Sequence, residues 1–96
     1  MLKYFSLVVS VILITGCTAA PIQEMSDARQ AIRAATKATA VKNTDKNSVI
    51  VLEKARRYLV VAENALERGE YSQAKRSALK AKQHAVKARL ISINSP

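Results

Sequence analysis

The chain carries two hydrophobic patterns, one continuous run near its start and three later stretches with helical spacing. Residues 4–14 are apolar apart from Ser6 and Ser10. Further on, Ala28, Ala31, Ile32, Ala35 and Ala38 recur at steps of three and four, one face of a helix. Ser26 is its expected N-cap, and Asp27 falls in the first turn, where a carboxylate favours the helix dipole. Asn43-Thr44-Asp45-Lys46-Asn47-Ser48 is a run of turn formers and predicts a loop. A second helix should start near Ser48 and stop at Gly69. Its seam of Leu52, Ala55, Leu59, Ala62 and Leu66 keeps one face toward a partner helix. Gly69 suits the left-handed position that ends a helix. A third helix over about residues 71–91 lines up Ala74, Ala78, Ala81, Ala85 and Ala88. About two residues separate helices two and three, which favours an antiparallel hairpin. The expected fold is all-α, with three Ala-rich helices of which the last two form the hairpin.

The leading run is too short to be a membrane span. Eleven helical residues reach about 16 Å, roughly half of the ~30 Å hydrocarbon core. With Lys3 before it, the segment has the form of a secretory signal. Ile14-Thr15-Gly16-Cys17 then resembles the bacterial lipobox, an aliphatic residue, two small residues and a cysteine. That resemblance implies a diacylglyceryl group on Cys17, cleavage after Gly16 and acylation of the new amino terminus. Thr18 stands where the inner-membrane retention signal of enteric bacteria would place Asp, which points to the periplasmic face of the outer membrane. The expected organisation is a signal peptide over residues 1–16, a lipidated cysteine and tether over 17–25, and a helical domain over 26–93. Three acyl chains, at about 0.8 kcal/mol per buried CH₂, exceed what stable anchoring needs.

Composition narrows the chemistry. One Cys and one His fall short of a structural zinc site, and a single Cys makes no internal disulfide. Gly16 and Gly69 are the only glycines, so there is no Gly-rich phosphate loop. The mature chain of 80 residues has few large apolar side chains: Ile32, Leu52, Leu59, Leu66, Leu79, Val86, Leu90 and some valines. Alanine methyls bury little area at about 25 cal/mol per Å². Either the helix propensity of the many alanines supplies much of the order, or the hairpin packs against a copy of itself or another protein, and marginal folding alone is expected.

Two resemblances follow from the corner between the last two helices. Gly69-Glu70-Tyr71-Ser72-Gln73-Ala74 looks like part of a tetratricopeptide repeat, Gly-x-Tyr-x-x-Ala, in which the Tyr wedges the corner and the Ala admits the next helix closely. It occurs once, without the period of about 34 residues that an array would show. The wider order is a lipobox, an Ala-rich helix (Ala28-Arg29-Gln30-Ala31-Ile32-Arg33-Ala34-Ala35), a loop, an Ala/Leu helix, this corner and a final Ala-periodic helix. It resembles the bacterial lipoprotein family catalogued as domain of unknown function 4398, over nearly all of the mature chain. The resemblance implies a helical envelope protein with no established activity and no catalytic residues to carry over. The basic charge of this chain is a departure from it.

That charge is local. Without Lys3, fifteen basic residues face seven acidic ones, a net of +8. From residue 71 onward there are six basic residues, Lys75, Arg76, Lys80, Lys82, Lys87 and Arg89, and no acidic one. On a helical wheel Arg76, Lys80 and Lys87 fall within about 40° of one another. Lys75, Lys82 and Arg89 form a second line, and Leu79, Val86 and Leu90 make an apolar ridge between the two. The cations are either a solvated face or an attachment surface for an anionic partner. The ridge either widens the core contact, with lysine stems beside it, or docks a partner helix. Catalysis has little support. His84 reads as a surface residue with no carboxylate to orient it, Glu63 and Glu67 as exposed glutamates, and Tyr58 and Tyr71 as packing and corner residues. Nucleic acid suits neither the compartment nor the lack of interleaved aromatics. No cofactor is expected beyond the lipid on Cys17. The expected partners are the bilayer, peptidoglycan, anionic lipid or an envelope protein, and a second copy of the chain. Two roles fit: a structural or adaptor lipoprotein using its basic last helix, or a pilotin-like assembly factor for a secretion or pilus subunit.

Overall fold

The computed structural model describes residues 20–42 and 46–94. The signal segment, Cys17 with the start of its tether, and Asn43, Thr44 and Asp45 of the expected loop lie outside the described residues. The described chain is all-α: α1 (Ile22–Lys42), α2 (Lys46–Glu67) and α3 (Tyr71–Asn94), with no strand.

The first helix starts four residues before the expected Ser26 cap. The Pro21 carbonyl accepts from the Met25 amide at 3.1 Å, closing the first turn, and Glu24 supplies the first-turn carboxylate. The reason lies in packing. Met25 is almost completely buried and extends the seam of Ala28, Ile32 and Ala35 by one turn. Ser26 is thus inside the helix. At the other end of the chain α3 continues past residue 91, because Ser92 is buried and its hydroxyl donates to the Ala38 carbonyl of α1 at 2.9 Å.

Between α2 and α3 the chain turns as the glycine demands. Gly69 has a φ of +74°. The Glu70 amide donates to the Ala65 carbonyl at 2.9 Å and the Gly69 amide to the Leu66 carbonyl at 3.1 Å. This pair of bonds is a Schellman motif with Gly69 at C′. A Cβ at Gly69 would meet no atom within 4 Å, so the constraint there is one of backbone conformation and not of space. Gly69→Ala should therefore cost about 1–2 kcal/mol through the left-handed φ alone, read as a lower chemical-denaturation midpoint with an unchanged m value. Tyr71, expected to wedge the corner, stands at the first position of α3 and is exposed. The corner does not enclose its ring.

The last helix is the centre of the fold. It packs against both other helices, which touch each other less. Its inner face carries Ala74, Ser77, Ala78, Ala81, Ala85, Ala88 and Ser92, all buried. Larger side chains from the two flanking helices fill the space: Met25 and Ile32 from α1, and Leu52, with the partly buried Leu59 and Leu66, from α2. Small residues on the central helix let both neighbours come close, since interaxial distance depends on the side chains at the contact. Glu24 lies near Lys75, Asp27 near Lys82 and Ala38 at Ser92, so α1 runs parallel to α3. Arg29 lies near Glu63 and Arg56 bonds Thr36, so α2 is antiparallel to α1. α2 and α3 form the antiparallel hairpin expected from the short corner.

Candidate functional site: the outward face of the last helix

With the inner face of α3 committed to alanine and serine, everything larger on that helix points sideways or outward. Leu79, Val86 and Leu90 are 40%, 43% and 53% exposed, and Ile93 one turn further on is exposed as well. These three residues were expected either to widen the core or to dock a partner, and the core alternative is overturned. Two helices already cover the alanine seam, and the ridge sits more than a quarter-turn away from it. A shallow depression beside the ridge is lined by Leu79, Lys82, Gln83 and Val86.

The six cations divide by what stands next to them. Lys75 lies 3.8 Å from Glu24 and Lys82 lies 3.9 Å from Asp27, both on the flank facing α1. Such exposed pairs contribute about 0–1 kcal/mol each, but they partly neutralise that flank. Lys80 holds its ammonium 5.6 Å from the centroid of the Tyr58 ring, a cation–π arrangement on the α2 side. Arg76, Lys87 and Arg89 have no ion-pair partner among the described residues. Arg76 and Lys87 border the apolar ridge on the outward face, so ridge and free cations are neighbours.

His84 lies at the surface, though not as a free side chain. It is half-buried, its ring centroid 5.1 Å from that of Tyr58 and tilted by 39°, and its Nδ1 is 2.8 Å from the Lys80 carbonyl. A carbonyl only accepts, so Nδ1 carries the proton in this contact. No described carboxylate orients the ring, and among the described residues no three His, Cys, Asp or Glu side chains gather as metal ligands. Glu63 is occupied with Arg29 at 3.9 Å across the α1–α2 flank. No helix of the described residues is long and apolar enough to cross a membrane.

Residues 23–92 match the family described as Domain of unknown function (DUF4398), a span that takes in nearly all of the three helices. The chain belongs to the DUF4398 family. No curated protein and no solved structure gives a significant match. The DUF4398 span contains both faces just described, the outward ridge with its cations and the Tyr58–His84 contact, whereas Cys17 precedes it.

Contacts that the linear pattern does not reveal also form here. Glu24 and Asp27 face α3 only because α1 lies parallel to it. Lys54, Arg57, Tyr58 and Val61 are spaced i, i+3, i+4 and i+7, so they share one stripe of α2 beside its apolar seam. That spacing is legible in the chain, but the seam next to it is the stronger signal and hides it.

Proposed function

We propose that this DUF4398 protein is a small lipoprotein, anchored through acylated Cys17 to the periplasmic face of the outer membrane. In this reading it acts as a structural adaptor whose last helix contacts an anionic envelope component. The observation that carries the proposal is that Arg76 and Lys87 on one side of the ridge and Arg89 on the other are exposed on α3 with no carboxylate set against them among the described residues. Peptidoglycan carboxylates or anionic lipid headgroups are the partners this charge suits. We assign it no catalytic step and no cofactor.

Each basic side chain near an anionic surface contributes about 1 kcal/mol. Arg76→Glu, Lys87→Glu and Arg89→Glu together should therefore weaken co-sedimentation with peptidoglycan or anionic liposomes at least tenfold. The binding of the unaltered protein should fall as salt rises. Lys75 and Lys82 are left in place because they border Glu24 and Asp27, so the triple variant keeps its helical packing. Binding that ignores both salt and these changes overturns the reading. Mass spectrometry of the lipid on Cys17 tests the anchor separately.

A second reading rests on the exposed ridge of Leu79, Val86 and Leu90. A pilotin-like escort would use it to hold an apolar helix of a secretion or pilus subunit. Salt-resistant crosslinking to one such subunit, abolished by Val86→Asp, would favour this role over the adaptor.

A further inference from the structure

The α2–α3 flank, apart from the ridge and its free cations, holds a groove with a different chemistry. It has a volume of about 300 Å³ and is lined by Lys54, Arg57, Tyr58, Val61 and His84. Ligand sites run from about 300 to 1,000 Å³, so the groove has room for one small head group. We infer that it binds a phosphate monoester, with the phosphate between Lys54 and Arg57 and the carrier resting on Tyr58, Val61 and His84.

The charge distribution carries this inference. Four described carboxylates lie beside cations elsewhere, Glu24 at Lys75, Asp27 at Lys82, Glu63 at Arg29 and Glu70 at Arg68, and Glu53, one residue before Lys54 and four before Arg57, is held by Arg56 at 2.6 Å. None of them lines the groove, and Lys54 and Arg57 have no ion-pair partner among the described residues. The two cations stand on one side of α2, three residues apart, with the Lys80 ammonium close by over the Tyr58 ring. Like charges placed together in this way repel one another. An external dianion removes that cost. A phosphate monoester carries about −1.5 to −2 charges at neutral pH, which matches two cations, whereas a carboxylate would balance only one. Arg57 can also meet two phosphate oxygens at once.

The floor of the groove is preorganised. His84 is held by its Nδ1 contact with the Lys80 carbonyl and by the Tyr58 ring, which leaves Nε2 as the ring atom for a ligand. Aromatic faces and Val61 offer an apolar bed to whatever carries the phosphate. The source is either a lipid headgroup or a soluble phosphorylated metabolite, because both present the same group. The site does not require the membrane anchor or the adaptor role, and it uses none of the three arginine and lysine changes that test that role.

The test is a titration of the full chain in a non-ionic maltoside detergent with inorganic phosphate at fixed ionic strength, followed by the His84 and Tyr58 ring resonances. A saturable shift is expected, with affinity at least tenfold above that for acetate. Lys54→Gln with Arg57→Gln should weaken it at least tenfold. Both side chains are exposed, so the fold should persist, and an unchanged circular dichroism spectrum checks this. Arg76→Gln with Lys87→Gln should leave phosphate binding as it was, even where it abolishes envelope binding. Phosphatidic acid in mixed micelles that displaces phosphate assigns the group to a lipid, and glycerol phosphate that binds while phosphatidic acid does not assigns it to a soluble ester. Equal shifts with acetate and phosphate, or a double variant that binds as the parent does, would overturn the site.

Discussion

Ala85→Leu should unfold most of this protein at temperatures where the parent is fully helical. Ala85 is completely buried and packs in a cluster with Ile32 and Ala35 of α1 and Leu52 and Ala55 of α2. A leucine there meets helices on both sides, so it cannot relieve its bulk by moving away from one of them. Overpacking of a filled core costs about 1–3 kcal/mol, occasionally more. For a domain of this size each 1 kcal/mol lowers the melting temperature by about 4–8 °C. A drop of at least about 10 °C by circular dichroism is expected, together with broadening of the transition. Gln83→Leu, on the exposed outer side of the same helix, adds the same kind of side chain and should move the melt by no more than about 3 °C. Equal effects at the two positions would mean that α3 is not the central helix.

Leu52→Ala is the complementary test, a removal where the first is an insertion. Leu52 is 3% exposed and fills space against the alanine face of α3. Core truncations of this kind cost about 2–5 kcal/mol, the sum of lost transfer energy and the cavity left behind. Collapse around the cavity is limited here, because Ala55, Ala85 and Ala88 have no side chain able to reach into it and only Ile32, Val51 and Leu59 of the same cluster can lean toward it. The cost should fall in the upper part of that range, measured by urea denaturation. Leu79→Ala removes the same atoms from the exposed ridge and should cost less than about 1 kcal/mol. Leu52 stands on the 3-4 seam of its helix and Leu79 off the alanine seam of its own, and only Leu52 belongs to the core.

That contrast marks how much could be read from the chain. The seams Leu52/Ala55/Leu59/Ala62/Leu66 and Ala74/Ala78/Ala81/Ala85/Ala88 were legible because each obeys a 3-4 spacing, and local spacing is all a helix needs to declare its inner face. Gly69 was legible because few residues accept its φ. The start of α1 was not. Met25 belongs to its helix through burial against residues far along the chain, while Ser26 and Asp27 imitate a cap. The ridge was ambiguous for a related reason: Leu79, Val86 and Leu90 are apolar, and their exposure depends on how many helices share the alanine face.

The candidate sites show the same division. Six cations and no acid in the last helix are a property of the sequence, and so is the stripe of Lys54, Arg57, Tyr58 and Val61. Which cations remain free is a property of the packing. Lys75 and Lys82 meet Glu24 and Asp27 because α1 lies parallel to α3, and Lys54 and Arg57 share a groove with His84 because α2 lies antiparallel to it. Local periodicity thus specified three helices, their inner faces, the corner at Gly69 and the excess of positive charge. The order of the helices around α3, the exposed ridge and the partition of the charges depended on contacts between residues distant in sequence, since a helix's own repeat records which face is buried but not what covers it.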